Sequence, residues 1–292
     1  MGEKPVITQE MIQAYDDFTH LTLDRRAFMD KLTKLAGSAA AAAAIAPMIG
    51  SNYANAETIP ANDPRIKADN VTYKGPAGDL KGYLATPAGV TGKVPAVLVL
   101  AQNRGLNPHI KDVVRRVALE GYVALGVDML SRLGGTPDND DAAGQLFAKL
   151  DPAGVVPDML ASTAYLRGHP QSTGVVGTVG FCVGGSHVNL LASADPQLRA
   201  GVAYYGPQPP ADAAKTIKAK MMFHYAELDT RITGAWPAWK EALNKAGVFN
   251  TTFIYSGVNH AFNDDTTEAR YNKSVADLAW TRTVLFFKTY LS

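Results

Sequence analysis

The sequence has a single cysteine in 292 residues, Cys182, so an internal disulfide and any four-cysteine zinc site are excluded. The missing second thiol also argues against a redox protein that resolves its own mixed disulfide. An excess of one charge is missing too: 28 Lys and Arg face 27 Asp and Glu, a formal +1. No dense Lys/Arg cluster occurs beyond the N-terminal region, which speaks against a nucleic-acid partner. There is no internal repeat, and the longest apolar stretch is broken by Gly37, Ser38, Pro47 and Gly50, making a poor membrane span. What remains is a chain that is 47% hydrophobic, a globular composition long enough for one large α/β domain or two small ones.

Residues 1–56 read differently from the rest. Arg25-Arg26, followed by Lys31 and Lys34, leads into the Ala-rich run Leu35–Ile49 and then Ala54-Asn55-Ala56. A basic part, an apolar part and a small-x-small site are the three parts of an export signal. The paired arginines point to the twin-arginine route and a periplasmic destination. Asp24, Asp30 and the two dozen residues before the arginines depart from that pattern. They keep a second reading open, a helical extension that stays attached to a cytoplasmic protein. Either way, residues 57–292 suit one domain.

From residue 70 the pattern alternates. Val71–Tyr73 and Leu80–Leu84 read as a hairpin turned by Gly75, Pro76 and Gly78. Pro95–Ala101 and Tyr122–Val127 are continuous apolar runs of the kind buried on both faces. Between them Ile110, Val113, Val114 and Val117 recur at helical spacing. The Gly/Pro/Asn/Asp-rich stretch 131–141 is a loop, with helices expected at 142–150 and 157–168. Strands follow at 175–180, 200–205, 219–225 and 251–256, with helices from near Gly184, at 236–246 and at 273–290. Strands alternating with helices predict an α/β fold, a mostly parallel sheet covered on both faces.

A lone cysteine is commonly a small buried hydrophobe. Cys182 sits in Gly180-Phe181-Cys182-Val183-Gly184, between a β-branched strand and a helix. A strand-to-helix elbow lifts one side chain clear of the sheet, and its glycines admit close backbone approach. The helix N-terminus favours the thiolate, and the Val183 N–H is placed for an oxyanion. The chain order nucleophile, acid, base then selects Asp229, preferred over Glu227, at the end of one strand and His260 on the loop after the last. The other histidines read as core, helix or loop residues: His224, His187, His109, His169 and, in the extension, His20. None has metal-ligand spacing in the sequence.

Together Gly180–Gly185, Ala203-Tyr204-Tyr205-Gly206, Phe223-His224 with the acid beyond, and His260-Ala261-Phe262 resemble the dienelactone hydrolase (carboxymethylenebutenolidase-like) family over roughly 70–290. The resemblance implies the α/β-hydrolase fold. It also implies a Cys182–His260–Asp229 triad that opens small esters or lactones through an acyl-thioester, with no metal and no cofactor. It places a second oxyanion donor near Asn103 or Arg104. Two departures follow from it. The family member acting on dienelactone has a glutamate near the resting thiol where Asn103 stands. It also has an arginine for the substrate carboxylate where Asn263 and Asp264 stand. An anionic dienelactone is therefore not the expected substrate unless Arg104 or Arg132 replaces that cation. Asn103 also keeps open a second reading, a ligand-binding protein that retains the fold with little turnover.

Overall fold

The computed structural model describes residues 6–20, 22–52 and 58–292. The proposed cleavage site Ala54–Ala56 lies outside them. Eight strands form one sheet in the order β1-β2-β4-β3-β5-β6-β7-β8. They are β1 (Ile66–Gly75), β2 (Gly78–Pro87), β3 (Val94–Leu100), β4 (Val123–Val127), β5 (Ser172–Phe181), β6 (Ala200–Tyr204), β7 (Lys220–Ala226) and β8 (Asn250–Tyr255). β2 pairs antiparallel with β1 and β4, and all other neighbours are parallel. This is the expected α/β-hydrolase arrangement, with the strand order crossing over at β3 and β4.

The helices are α1 (Gln9–Thr19), α2 (Arg25–Ala36), α3 (Ala39–Ile49), α4 (Pro108–Leu119), α5 (Asp140–Phe147), α6 (Pro152–Gly168), α7 (Val183–Ala194), α8 (Thr230–Thr233), α9 (Trp236–Lys245) and α10 (Lys273–Tyr290). β3 shows why both sheet faces are covered. Val97 and Val99 point into the core shared with Ile110, Val114 and Phe287 of α4 and α10. Ala96, Leu98 and Leu100 point the other way, into the core shared with Met159, Val188 and Leu191 of α6 and α7. Each such Val or Leu, fully buried, contributes about 1.5–3 kcal/mol.

Several boundaries differ from the sequence reading: β1, β2 and β5 are longer than expected and α5 runs Asp140–Phe147 in place of 142–150, and two further differences have a local cause. α6 begins at Pro152, not near 157, because Asp151 caps it through the Ala153 N–H at 3.0 Å and Pro152 needs no partner for its nitrogen. Pro157 lies inside the helix. The Ala-rich run is not one segment: Gly37, at φ 78°, ends α2, and the Ser38 hydroxyl caps α3 at 3.1 Å. No single helix among the described residues is long and apolar enough to cross a membrane; α2 and α3 would suffice together but bend by 112°.

Helices α1–α3 pack chiefly on one another. Met11, Ala14, Phe28, Leu32, Ala42, Ile45 and Ile49 form a small core of their own, touched from the sheet domain by Ala269. Most of what ties this layer down is polar. Arg25 pairs with Asp141, Gln9 Nε2 donates to Asn259 Oδ1 at 2.5 Å, and the Asn52 amide donates to the Thr266 carbonyl at 2.7 Å. The layer lies over the carboxyl ends of the strands, the edge where open α/β sheets hold their ligands.

Candidate active site

β5 ends at Phe181 and α7 begins at Val183, so Cys182 is the whole turn. It takes φ 56° and ψ −121°, a conformation costing about 1–3 kcal/mol in an L-residue. Glycine makes the turn possible at two points. A Cβ on Gly180 would collide with the Gly184 carbonyl, and one on Gly184 would meet the Ala101 carbonyl oxygen at 2.6 Å. The elbow is thereby pressed onto the end of β3. The other non-glycine residues with positive φ among the described ones are Tyr205 and Ala261. Both belong here: the Tyr205 ring lies 4.6 Å from that of His260, and Ala261 follows His260.

Asp229 lies just beyond β7 and His260 on the loop after β8. His260 Nδ1 is 2.6 Å from Asp229 Oδ2. Glu227 does different work, accepting from the Ser256 hydroxyl at 2.6 Å and the Gly257 amide at 2.9 Å, which pins the turn after β8. The second ring nitrogen of His260, Nε2, has no hydrogen-bond partner among the described residues. Cys182 Sγ, one nitrogen of His260 and one of His20 all lie within 4.8 Å of one another. The thiol's hydrogen-bond neighbour is His20 Nε2, at 3.4 Å.

Burial alone would push the Cys182 thiol up. The charges of His260 and His20 outweigh it and hold the thiol well below its ordinary range. Burial alone would lower His260, but the Cys182 charge and the Asp229 hydrogen bond raise it to about 10. Burial likewise opposes ionisation of Asp229, and the His260 hydrogen bond and charge prevail and lower it. The site is thus poised as a thiolate beside an imidazolium with a carboxylate behind.

The expected oxyanion donors flank this group. Neither the Val183 nor the Asn103 amide donates to another backbone group among the described residues. The Asn103 side chain is not turned to the thiol; its Nδ2 donates to the Thr19 carbonyl at the end of α1. Arg104 lines the catalytic cavity, with its guanidinium against Gly144 of α5. Arg132 is elsewhere, held by Asp158 through Nε at 2.7 Å and a terminal nitrogen at 2.6 Å, and is not available to a substrate. Asn263 accepts from the Tyr205 hydroxyl, and Asp264 accepts from Gln102 and Thr266, so both brace the His260 loop.

Four residues at this site were not among the site residues expected from the sequence. Arg270, buried, lines the cavity; Asp16 of α1 pairs with it at 3.1 Å, and Tyr15 lies 4.9 Å beneath its guanidinium. His20 follows α1. Nothing local in the sequence joined them, because His20 is 162 residues from Cys182 and Asp16 is 254 from Arg270. The remaining histidines keep packing roles. His224 bonds Tyr255 and Thr283 at 2.9 and 3.2 Å, and burial lowers it to about 3. Burial lowers His187 to about 4. His109 lies at the start of α4, buried and paired with Asp265 at 3.1 Å. With Asp264 and Asp265 it forms a cluster of donor atoms, but Asp265 is already committed to Arg116 as well. His20, Cys182 and His260 form a second cluster of donor atoms.

The dienelactone hydrolase family model matches residues 80–291. A Synechocystis sp. protein named "Putative carboxymethylenebutenolidase" is 33% identical over 244 residues, 77% of this chain and 98% of that protein. An Escherichia coli protein, "Putative hydrolase fragment YghX", is 48% identical over 113 residues, 38% of this chain and 97% of its own length. The crystal structure of "Putative Dienelactone Hydrolase" from Klebsiella pneumoniae superposes with a TM-score of 0.71 at 28% identity, covering 77% of this chain and 99% of that one. Helices α1–α3 lie before the family match begins.

Proposed function

This chain belongs to the dienelactone hydrolase family and is a carboxylic ester or lactone hydrolase, and we propose that it works through a Cys182–His260–Asp229 triad and an acyl-thioester. The observation carrying this is the convergence of a strained elbow cysteine with a buried imidazole that is 2.6 Å from a buried carboxylate.

The Cys182 thiolate attacks the carbonyl carbon, and the C=O pair moves to oxygen. The amides of Val183 and Asn103 stabilise that oxyanion. The carbonyl re-forms, the C–O bond to the leaving group breaks, and His260 gives its Nε2 proton to the alkoxide. In a lactone the alkoxide stays tethered to the acyl part. His260 then takes a proton from water, whose oxygen attacks the thioester, and the carboxylic acid leaves as the thiolate is restored. Asp229 holds the imidazole in one tautomer throughout and stabilises its charged form.

Turnover of short p-nitrophenyl esters and small lactones by wild type and Cys182→Ala tests the reading. Loss of turnover in the variant and a mass increment of one acyl group on Cys182 in the wild type are expected. Equal turnover by Cys182→Ala would remove the thiol from the mechanism, and absence of turnover by wild type would restore the binding-protein reading.

Of the two readings of residues 1–56, the attached extension is the one we propose. It is supported by the helix caps on α2 and α3, by their shared core and by the contacts tying the layer to Asp141 and Arg270. The twin-arginine reading predicts instead a periplasmic protein whose N-terminus begins after Ala56. Sequencing the N-terminus of protein from each cell fraction decides between them.

A further inference from the structure

We propose that residues 6–20 act as a built-in plug: His20 and Asp16 occupy the substrate's place over Cys182 and Arg270, and the ester enters when α1 lifts. This rests on Cys182 being the nucleophile.

Space is the first argument. The cavity bounded by Cys182, His260, Asn103 and Arg270 has about 30 Å³, room for a water molecule and not for an ester. Its roof is Tyr15, Thr19 and His20 of the N-terminal layer.

Direction is the second. His20 Nδ1 lies 2.7 Å from the Asp16 carbonyl, which turns Nε2 toward Sγ at 3.4 Å and the Arg231 guanidinium at 3.2 Å. The sulfur therefore has His20 at hydrogen-bonding distance, and the His260 Nε2 that must protonate the leaving group is left without a hydrogen-bond partner among the described residues. The His20 ring stands edge-on to His260 with centroids 5.0 Å apart, in the space above the sulfur.

The manner of attachment is the third. Asp16 supplies a carboxylate to buried Arg270, and Asn103 grips the Thr19 carbonyl beside His20. Arg270 and Asn103 are cavity residues, the other anchors on the sheet domain are also polar, and the apolar core of α1–α3 is internal to that layer. A layer with its own core and a polar seat opens locally at less cost than global unfolding. The site is then available only in the open fraction, and apparent substrate affinity falls by that fraction.

The lone cysteine makes the test clean, because every alkylation event in the full chain reads Cys182. Iodoacetamide modification is followed by mass for wild type, His20→Ala and Asp16→Asn. A plug predicts alkylation about tenfold faster in both variants, equivalent to about 1.4 kcal/mol of lost cover. If His20 only sustains the thiolate, its removal slows alkylation, so a slowed or unchanged rate in either variant overturns the plug. A second variant guards against misfolding: Gln9→Cys with Asn259→Cys places two thiols where the side-chain ends now meet at 2.5 Å, and a reducible thiol-to-thiol spacer spanning the two shortened side chains joins them. Cross-linked, it is expected to lose at least about nine-tenths of its ester turnover relative to wild type treated in parallel, which controls for modification of Cys182, and to regain it on reduction; turnover equal to that of the treated wild type overturns the proposal. Alkylation needs no turnover, so a failed plug and a failed Cys182 mechanism give different results.

Discussion

His260 Nδ1 stands 2.6 Å from Asp229 Oδ2, with the two side chains 3% and 7% exposed. At that burial water cannot substitute for the carboxylate, so the hydrogen bond alone decides which imidazole nitrogen carries the proton toward Cys182. It also offsets the cost of a charged ring in a dry site.

Replacing that carboxylate with an amide should preserve shape and lose chemistry. Asp229→Asn is expected to lower kcat about a thousandfold or more, with KM within about twofold of wild type and an unchanged circular dichroism spectrum. A loss in KM with kcat intact would mean that Asp229 binds substrate and does not orient His260.

The opposing shifts of Cys182 and His260 set a pH window. The thiol is held below its ordinary range, so the thiolate is lost only as pH falls through that lowered value. His260 is raised to about 10, so its proton is lost as pH rises through about 10. Between these limits the ion pair persists. Alkylation of Cys182 should stay nearly flat from about pH 6.5 to 8, where an ordinary thiol near 8.5 slows about tenfold per unit below that value. A slope of one log unit per pH unit across this range would show that the pair does not form.

Much of this was readable in the sequence, for identifiable reasons. The core strands β3 and β4 are continuous apolar runs, and no helix competes with them over five to seven residues. Cys182, Asp229 and His260 were legible because each follows a strand, and an α/β sheet aligns its strand ends along one edge. What could not be read was the third dimension of the N-terminal layer. Its composition resembled an export signal, and nothing local distinguishes Ala-rich α3 in a small helical core from an apolar signal segment. Asn103 read as a missing proton acceptor for the same reason: its partner, the Thr19 carbonyl, is a backbone atom 84 residues away.

His224 offers a contrast with His260, since a histidine on a strand beside the site invites a catalytic role. It is fully buried between Tyr255 and Thr283, and burial disfavours its charged form. His224→Leu is expected to cost about 1–3 kcal/mol of stability by removing two buried hydrogen bonds, measured by urea unfolding. The folded variant should keep kcat within about threefold of wild type. A loss of kcat with unchanged stability would move His224 into the chemistry.

Arg270 and Asp16 bear the sharpest energetic test. Their side chains are 7% and 14% exposed, so neither charge is well hydrated in the closed protein. Removing one partner of a buried pair costs about 3–5 kcal/mol, whereas removing both can be nearly neutral. Here the penalty has an outlet, because α1 can leave and let water reach the remaining charge. Arg270→Leu is therefore expected to increase protease cleavage within residues 6–52 while the midpoint of sheet-domain unfolding moves little. The double variant Asp16→Leu, Arg270→Leu should recover much of the protection, with a coupling of at least about 1 kcal/mol in the cycle. Additive effects would mean that the two charges are solvated independently and that the ion pair does not seat the helix.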